Sequence, residues 1–142
     1  MSEVLTPAWP KELVVRSVFG IGIDLASTAE VRESIREFGQ RYLRRVFTDH
    51  ELAYCGRSAD PAPHLAARFA AKEATIKALR ADGSQPPWTS IEVRADPGGW
   101  CRMRLYGAAQ RLARQRGVSL LSVSLSHEGE LAAAIVVATT DN

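Results

Sequence analysis

The chain has few lysines. Of its 18 basic residues only Lys11, Lys72 and Lys77 are lysines, and the last two lie five positions apart. The formal net charge is only +2, which excludes the strongly basic balance of a dedicated nucleic-acid binder. Because the other cations are all arginines, the segment that contains Lys72 and Lys77 is a candidate for a specific role.

Cysteines and long apolar runs are also scarce. Cys55 and Cys101 are the only cysteines, and their spacing matches neither a disulfide framework nor a zinc site, which fits a reducing cytoplasm. The longest apolar run, residues 131–138, is far shorter than the roughly 20 residues of a membrane span. Pro7 and Pro10 interrupt the N-terminal segment where a signal peptide would be apolar. We therefore expect a cytoplasmic protein without a membrane anchor.

The length of 142 residues and the 46% hydrophobic content are typical of one domain. Residues 1–16 show no hydrophobic period and are predicted to be an irregular extension, with the domain over 17–142.

Helices and hairpins alternate irregularly, which favours an α+β fold with a mainly antiparallel sheet packed on a long helix. The predicted strands are 18–24, 118–126, 131–138 and two within 91–106; the predicted helices are 28–38, a short one capped by Thr48 and Glu51, 63–79 and 107–116.

The segment GIGIDL, residues 20–25, divides into two faces because side chains alternate along a strand. One face holds Gly20, Gly22 and Asp24. The other holds the apolar residues Phe19, Ile21, Ile23 and Leu25. We expect the apolar face to lie in the core and the glycine face to admit a ligand or another chain. A bulged strand in which Asp24 caps the next helix is an equally good interpretation. The missing third glycine excludes a dinucleotide fingerprint.

The predicted long helix combines an apolar sector with charged residues. Lys72 falls inside the sector, where a helix normally places leucine. A neighbouring stripe sets charges beside small residues, which predicts a shallow groove with a charged rim. The sector comprises Leu65, Phe69, Ile76 and Leu79, and the stripe comprises Glu73, Lys77, Arg80, Ala66 and Ala70. The alternative is a surface pair between Glu73 and Lys77, with Lys72 extending to water.

Asp24 and Glu73 supply two carboxylates from separate elements, with lysines nearby. Magnesium prefers oxygen ligands and is commonly held by one or two carboxylates together with substrate phosphates. Lysines would neutralise the remaining phosphate charge. The sequence therefore predicts a magnesium site that acts on a phosphate compound.

The segment SVSLSHEGE places three serines, Ser122, Ser124 and Ser126, on one strand face and His127 and Glu128 at the turn that follows. His127 could donate a hydrogen bond to a phosphate, and Glu128 could accept a proton from an attacking hydroxyl. A purely structural histidine is the alternative. No Gly-x-Ser-x-Gly elbow surrounds these serines, so a hydrolase triad is not indicated.

Arginines are frequent in the helix that begins at Thr28 and in the segment that follows it. A basic strip beside the end of the Asp24 strand would attract an acidic protein, although a solvated surface would have the same composition. The arginines are Arg32, Arg36, Arg41, Arg44 and Arg45.

Three segments, GIGIDL, RFAAKEA followed by Lys77, and SLSHE, together resemble the signature motifs of holo-acyl-carrier-protein synthases in order and separation. The resemblance spans Gly20 to Ala138. It implies the 4'-phosphopantetheinyl transferase fold, magnesium, coenzyme A as donor, an acidic apo carrier protein as acceptor, and a homotrimer with active sites between subunits. One departure is Arg80, where many relatives have glycine.

Transferred by position, the resemblance implies a role for each matching residue. The metal ligands would be Asp24 and Glu73; the coenzyme A phosphates would contact Arg68, Lys72, Lys77 and His127; and the carrier would dock on Arg32 and Arg36, with Arg44 and Arg45.

The implied activity is transfer of phosphopantetheine from coenzyme A to a carrier serine. Glu73 and Lys77 would take part in catalysis, and the proton acceptor would be Glu128 or a metal-bound water. Two other functions remain open. A magnesium-dependent nucleotide diphosphate hydrolase needs the same groups but no carrier. A non-catalytic basic adaptor explains the arginines but not the glycine-faced strand that ends in Asp24.

Overall fold

A computed structural model describes residues 15–141. The predicted extension, residues 1–16, lies almost wholly outside this range, and its boundary stays a prediction; Arg16 already belongs to the first strand. The elements in chain order are β1 (Arg16–Ser27), α1 (Thr28–Phe38), α2 (Gln40–Val46), α3 (Asp49–Cys55), α4 (Ala62–Ala78), a 3-10 turn (Trp88–Ser90), β2 (Ile91–Ala95), β3 (Cys101–Leu105), α5 (Gly107–Gln115), β4 (Val118–Glu128) and β5 (Leu131–Asp141).

The strands form two antiparallel units. A three-stranded sheet has the order β1–β5–β4, and β2 pairs with β3 in a separate hairpin. In the sheet Asp24 lies opposite Ala134, and Ser126 lies opposite Ala133. The long helix α4 packs against β1 and β5. This arrangement confirms the predicted α+β class with an antiparallel sheet on a long helix.

The orientation predicted for β1 is wrong. Gly20 and Gly22 are buried against α4, whereas Ile21 and Ile23 are 60% and 62% exposed. A Cβ atom on either glycine would overlap a backbone carbonyl oxygen of α4, that of Ala78 at Gly20 and that of Ala74 at Gly22. The absence of a side chain at both glycines therefore lets the helix backbone approach the strand, and the core lies on the glycine face of β1.

The groove predicted over Ala66 and Ala70 of α4 is also absent. Ala66 and Ala70 have no exposed surface, because the sheet and neighbouring helices cover them. Small residues here permit close packing of backbones and do not leave space for a ligand. Lys77 remains exposed at the C-terminal end of the helix and Glu73 is partly buried, so the charged stripe itself does reach the surface.

The helices α1 and α3 begin as predicted. Thr48 Oγ1 accepts a hydrogen bond from the Glu51 amide at 3.2 Å, and Glu51 Oε1 accepts one from the Thr48 amide at 2.9 Å, which completes the capping box. The basic segment after α1 forms a further short helix, α2. Gly39, with φ of 56°, separates the two helices, and this positive φ is strain-free for glycine.

Among residues 15–141, no helix is both long enough and apolar enough to cross a bilayer.

Candidate active site

The two predicted metal ligands meet where β1 crosses α4. Asp24 follows Gly22 by two residues on the same strand face, so the close packing of glycine on helix brings its carboxylate beside Glu73 and Lys77. Lys77 Nζ lies 3.0 Å from Asp24 Oδ1 and donates another hydrogen bond, also 3.0 Å, to the Ile23 carbonyl oxygen. The Asp24 side chain is only 15% exposed, and that of Lys77 is 54% exposed.

The carboxyl group of Glu73 is strongly perturbed. Burial, a hydrogen bond with Asp24 and the charge of Asp24 raise the pKa of Glu73 to about 7, and Lys77 opposes the shift. The nearby carboxylate of Asp24 therefore favours the protonated form of Glu73. A bound divalent cation would neutralise the same negative charge.

This donor set fits magnesium. Within residues 15–141 no cluster of three or more histidine, cysteine, aspartate or glutamate side chains could hold a metal ion. Two carboxylates with an adjacent lysine are the kind of site that magnesium occupies with water and substrate phosphates completing its shell. Asp24 and Glu73 therefore have the chemistry of magnesium ligands.

Lys72 does not reach this site. Its side chain has no exposed surface, and Nζ lies 2.7 Å from Glu51 Oε1. The amine also donates to the carbonyl oxygens of Trp88, at 3.0 Å, and Ile91. Burial lowers the pKa of Lys72, and Glu51 partly offsets this. The amine of Lys72 therefore connects α3, α4 and the start of β2. Neither the expected contact with a phosphate nor the alternative of a lysine that extends to water agrees with this position.

Arg68 and His127 form a second cluster with His64. Arg68 is 4% exposed, its guanidinium lies 4.7 Å from the centroid of the Tyr54 ring, and Nη1 donates to the His64 carbonyl at 3.3 Å. The His64 and His127 ring centroids are 5.6 Å apart. Glu128 follows His127 and is exposed.

The two clusters lie at different ends of α4. Glu73 follows His64 by nine residues, which corresponds to about 13 Å along the helix. Within the described chain the structure thus groups Asp24, Glu73 and Lys77 in one half-site. His64, Arg68 and His127 form the other.

The arginines predicted to dock the carrier differ in the acidic side chains that they contact. Arg32 Nη2 lies 2.5 Å from Asp60 Oδ2, and Nη1 lies 2.8 Å from Glu130 Oε2. Arg36 pairs with Glu33, and Arg44 lies 3.7 Å from Asp49. Arg32 is therefore held by internal partners.

Arg41 and Arg45 are exposed on α2. Together with Phe38 and Tyr42 they line an open groove of about 280 Å³. A neighbouring cavity of about 290 Å³ lies between α1, α2 and α4, and its wall includes Tyr42, Phe69 and Glu73. The basic surface of α2 is thus continuous with the Glu73 side of the metal half-site.

Sequence reasoning missed two residues. The capping box accounted for one oxygen of Glu51 but gave no sign that the side chain also bonds Lys72 and, through Oε2, the Val93 amide at 2.8 Å. His64 was overlooked although it lies one helical turn before Arg68. The i, i+4 spacing of these two residues was the available signal.

A family model described as the 4'-phosphopantetheinyl transferase superfamily matches residues 20–136. The chain therefore belongs to this superfamily. It is 40% identical over 121 residues to the holo-[acyl-carrier-protein] synthase of Syntrophus aciditrophicus (strain SB), covering 84% of this chain and 94% of that protein. It is 43% identical over 116 residues to the synthase of Moorella thermoacetica, covering 82% and 90%.

Solved structures agree with the sequence relatives. The synthase of Neisseria meningitidis is 33% identical, with a TM-score of 0.76 over 86% of this chain and 98% of that one. The synthase of Helicobacter pylori, solved in complex with coenzyme A, is 28% identical, with a TM-score of 0.73 over 83% and 98%. The resemblance and the predicted transferase fold are confirmed.

Proposed function

We propose that this chain is a phosphopantetheinyl transferase that moves the 4'-phosphopantetheine group of coenzyme A onto a serine of an apo acyl carrier protein. The observation that carries this function is the Asp24, Glu73 and Lys77 cluster within a chain of this superfamily. The similar proteins of Syntrophus and Moorella are holo-[acyl-carrier-protein] synthases, and the Helicobacter structure contains coenzyme A.

The reaction exchanges the phosphoanhydride bond of the coenzyme A diphosphate for a phosphate ester bond to serine. The serine oxygen forms a bond to the phosphorus next to pantetheine, the bond from that phosphorus to the bridging oxygen breaks, and adenosine 3',5'-bisphosphate leaves with the electron pair. The serine proton passes to a base, a role that we propose for Glu128. Catalysis of this type depends mainly on alignment and on neutralisation of charge.

Asp24 and Glu73 would hold magnesium, which when bound supplies positive charge for the diphosphate oxygens. Lys77 adds a fixed cation beside them, oriented by its hydrogen bond to the Ile23 carbonyl. On the other half-site, Arg68 and His127 would bind a phosphate of the same co-substrate. The buried guanidinium of Arg68 is held against Tyr54, so little freedom is lost when an anion binds.

The test is incubation of the purified chain with coenzyme A, magnesium and a purified apo carrier protein. Mass spectrometry should show the carrier gaining one phosphopantetheine, and adenosine 3',5'-bisphosphate should appear in equal amount. Removal of magnesium by a chelator should stop both. Release of nucleotide at the same rate without carrier would instead identify the hydrolase.

We propose that an acidic carrier docks on α1 and α2. The groove lined by Phe38, Arg41, Tyr42 and Arg45 supports this placement, because it offers both charge and apolar surface and adjoins the cavity that contains Glu73. Arg36 and Arg44 lie on the same two helices. Arg32 contributes less than the sequence suggested, since its guanidinium already binds Asp60 and Glu130.

We further propose a homotrimer with active sites between subunits. The outer face of the sheet carries large apolar side chains, of which Ile21, Ile23 and Leu25 are 60%, 62% and 59% exposed and Ile135 on the adjacent strand is 40% exposed. A contiguous apolar face of this kind is typical of a protein interface. Its burial by a second copy could bring the metal half-site of one chain to the phosphate half-site of another.

The cytoplasm is the compartment that we propose. Cys55 and Cys101 are both free. Burial raises the pKa of the Cys55 thiol to about 11, so this side chain is protonated and unreactive at neutral pH.

A further inference from the structure

His64 lies in a cluster of two imidazole rings and one guanidinium group. It is the third residue of α4, and its ring meets the His127 ring at the end of β4 edge to face, with an angle of 77° between planes. Arg68, one turn later on α4, donates to the His64 carbonyl. Neither β4 nor α4 supplies a carboxylate as a direct partner for these rings in the part of the chain that the structure describes.

Arg68 lacks a complete set of partners. Its side chain is buried, yet its Nε atom has no hydrogen-bond partner among the described residues. A buried donor on a charged group is costly to leave unsatisfied. Arg68 therefore has unused capacity to bind an anion, beyond its contacts with Tyr54 and the His64 carbonyl.

The charged groups around His64 determine how it responds to pH. Burial lowers the pKa of His64, and Arg68 and His127 lower it further. Asp60, in the segment before α4, opposes this, but its carboxylate is committed to Arg32 at 2.5 Å, and Arg32 is itself shared with Glu130. With no anion present, the cluster thus disfavours an imidazolium at His64.

We propose that His64 is a further phosphate-binding residue of this enzyme, and that His64, Arg68 and His127 form one site for a phosphate group of coenzyme A whose affinity increases as the pH falls. The proposal rests on the proposed function for the identity of the co-substrate. A phosphate placed against the two rings supplies negative charge beside His64, so the His64 imidazole can be protonated and can donate to the phosphate.

The substitution His64→Gln keeps a polar side chain but removes the titration. We expect the KM for coenzyme A to rise roughly 10-fold at pH 6 and less than about 2-fold at pH 8.5, because one charge-assisted hydrogen bond is lost only where the imidazole is protonated. The effect should fall on the KM for coenzyme A more than on kcat, and the melting temperature should stay close to that of the wild type.

A second variant, His64→Lys, supplies a permanent charge. It should keep the KM for coenzyme A low at pH 8.5 and should flatten the pH dependence, a result that a purely structural histidine would not produce. Dephospho-coenzyme A separates the two possible sources of the phosphate. If His64→Gln weakens only coenzyme A binding, the group bound is the 3'-phosphate; if it weakens both equally, the group is the diphosphate.

Failure of this inference can be told apart from failure of the proposed function. If the wild type transfers phosphopantetheine but the ratio of KM values between His64→Gln and wild type does not change with pH, His64 does not bind the phosphate by protonation. If the wild type transfers nothing to any apo carrier, the proposed function itself is wrong. Calorimetric titration with coenzyme A alone measures the same pH effect without turnover.

Discussion

At the scale of single residues, Lys72 and Glu51 illustrate a charge pair that acts on stability. Both side chains are fully buried, and each has additional backbone partners. Removal of one member leaves an uncompensated buried charge, which costs about 3–5 kcal/mol. Lys72→Met should therefore lower the free energy of unfolding by about that amount in urea denaturation.

The matched control is Lys77→Met, the same substitution on the exposed face of the same helix. It should change the unfolding free energy little but should reduce turnover strongly. If Lys72→Met instead leaves stability unchanged and raises the KM for coenzyme A, Lys72 is a phosphate ligand after all.

Glu73 combines a functional role with a cost in stability. The folded chain retains the Glu73 proton up to about pH 7, against an ordinary pKa of 4.5. The folded state thus binds more protons than the unfolded state in this window, so the unfolding free energy falls as the pH rises across it. Solvent reduces the effect because the side chain is only partly buried.

Glu73→Gln removes this titration. At pH 8 without magnesium the variant should be more stable than the wild type by about 1–2 kcal/mol, after allowance for solvent screening, and its turnover should fall by roughly 100-fold. Chemical denaturation at several pH values measures the first effect. Added magnesium should raise the melting temperature of the wild type only; an equal rise in Glu73→Gln would show that the ion binds elsewhere.

At the scale of elements, the contact between β1 and α4 positions the metal half-site. Gly22 lies against the backbone of α4 at Ala74, one residue after Glu73. Gly22→Ala would force the strand and the helix apart, and we expect a loss of about 3 kcal/mol or more of unfolding free energy together with loss of activity.

Gly98→Ala provides the control for that change. A Cβ atom at this position would be 3.5 Å from the Trp100 side chain, an ordinary contact. The urea midpoint of the Gly98→Ala variant should remain near that of the wild type. A Gly22→Ala variant as stable as Gly98→Ala would mean that the two elements are not in close backbone contact.

The basic surface of α2 gives a second prediction at this scale. Arg41→Glu combined with Arg45→Glu should raise the KM for the carrier protein roughly 10-fold or more at low salt and leave the KM for coenzyme A unchanged. Added salt should raise the carrier KM of the wild type, because the Debye length is about 8 Å at physiological ionic strength. Steady-state kinetics across a salt series measures both.

Arg111→Glu combined with Arg114→Glu makes the same change of charge on the exposed face of α5. Steering by net charge alone would raise the carrier KM equally in both double variants. A larger effect of the α2 pair is the expected result and locates the docking surface.

At the scale of the whole molecule, we expect a second copy of the chain to bury the exposed apolar face of the sheet. Ile23→Glu introduces a charge at the middle of that face without touching the core, since Ile23 is 62% exposed. In sedimentation or light scattering the wild type should have three times the 15.5 kDa mass of the chain. The variant should be monomeric and should have lost most of its activity.

Trp100→Glu is the control for this experiment. Trp100 is 79% exposed and lies in the turn between β2 and β3 rather than on the three-stranded sheet. It should leave the assembly unchanged. A wild type that sediments as a monomer with full activity would refute the intersubunit site.

The sequence by itself determined the features that depend on residue identity and local period. The segments around Asp24, Glu73 and His127, the helices α1 and α4, the capping box of α3 and the hairpin strands could all be assigned, because periodicity and caps act over a few residues. The same local patterns identified Asp24, Glu73 and Lys77 as a group that could bind magnesium and phosphate.

Only the tertiary structure decided which partner each of these features meets. A strand with glycines on one face and isoleucines on the other can bury either face, and here the backbone of α4 occupies the glycine side while the isoleucines remain exposed. Likewise Lys72 pairs with Glu51, and Arg32 pairs with Asp60 and Glu130. His64 faces His127. The partners in each of these contacts are far apart in sequence. Such pairings depend on how elements pack, which a local pattern does not encode.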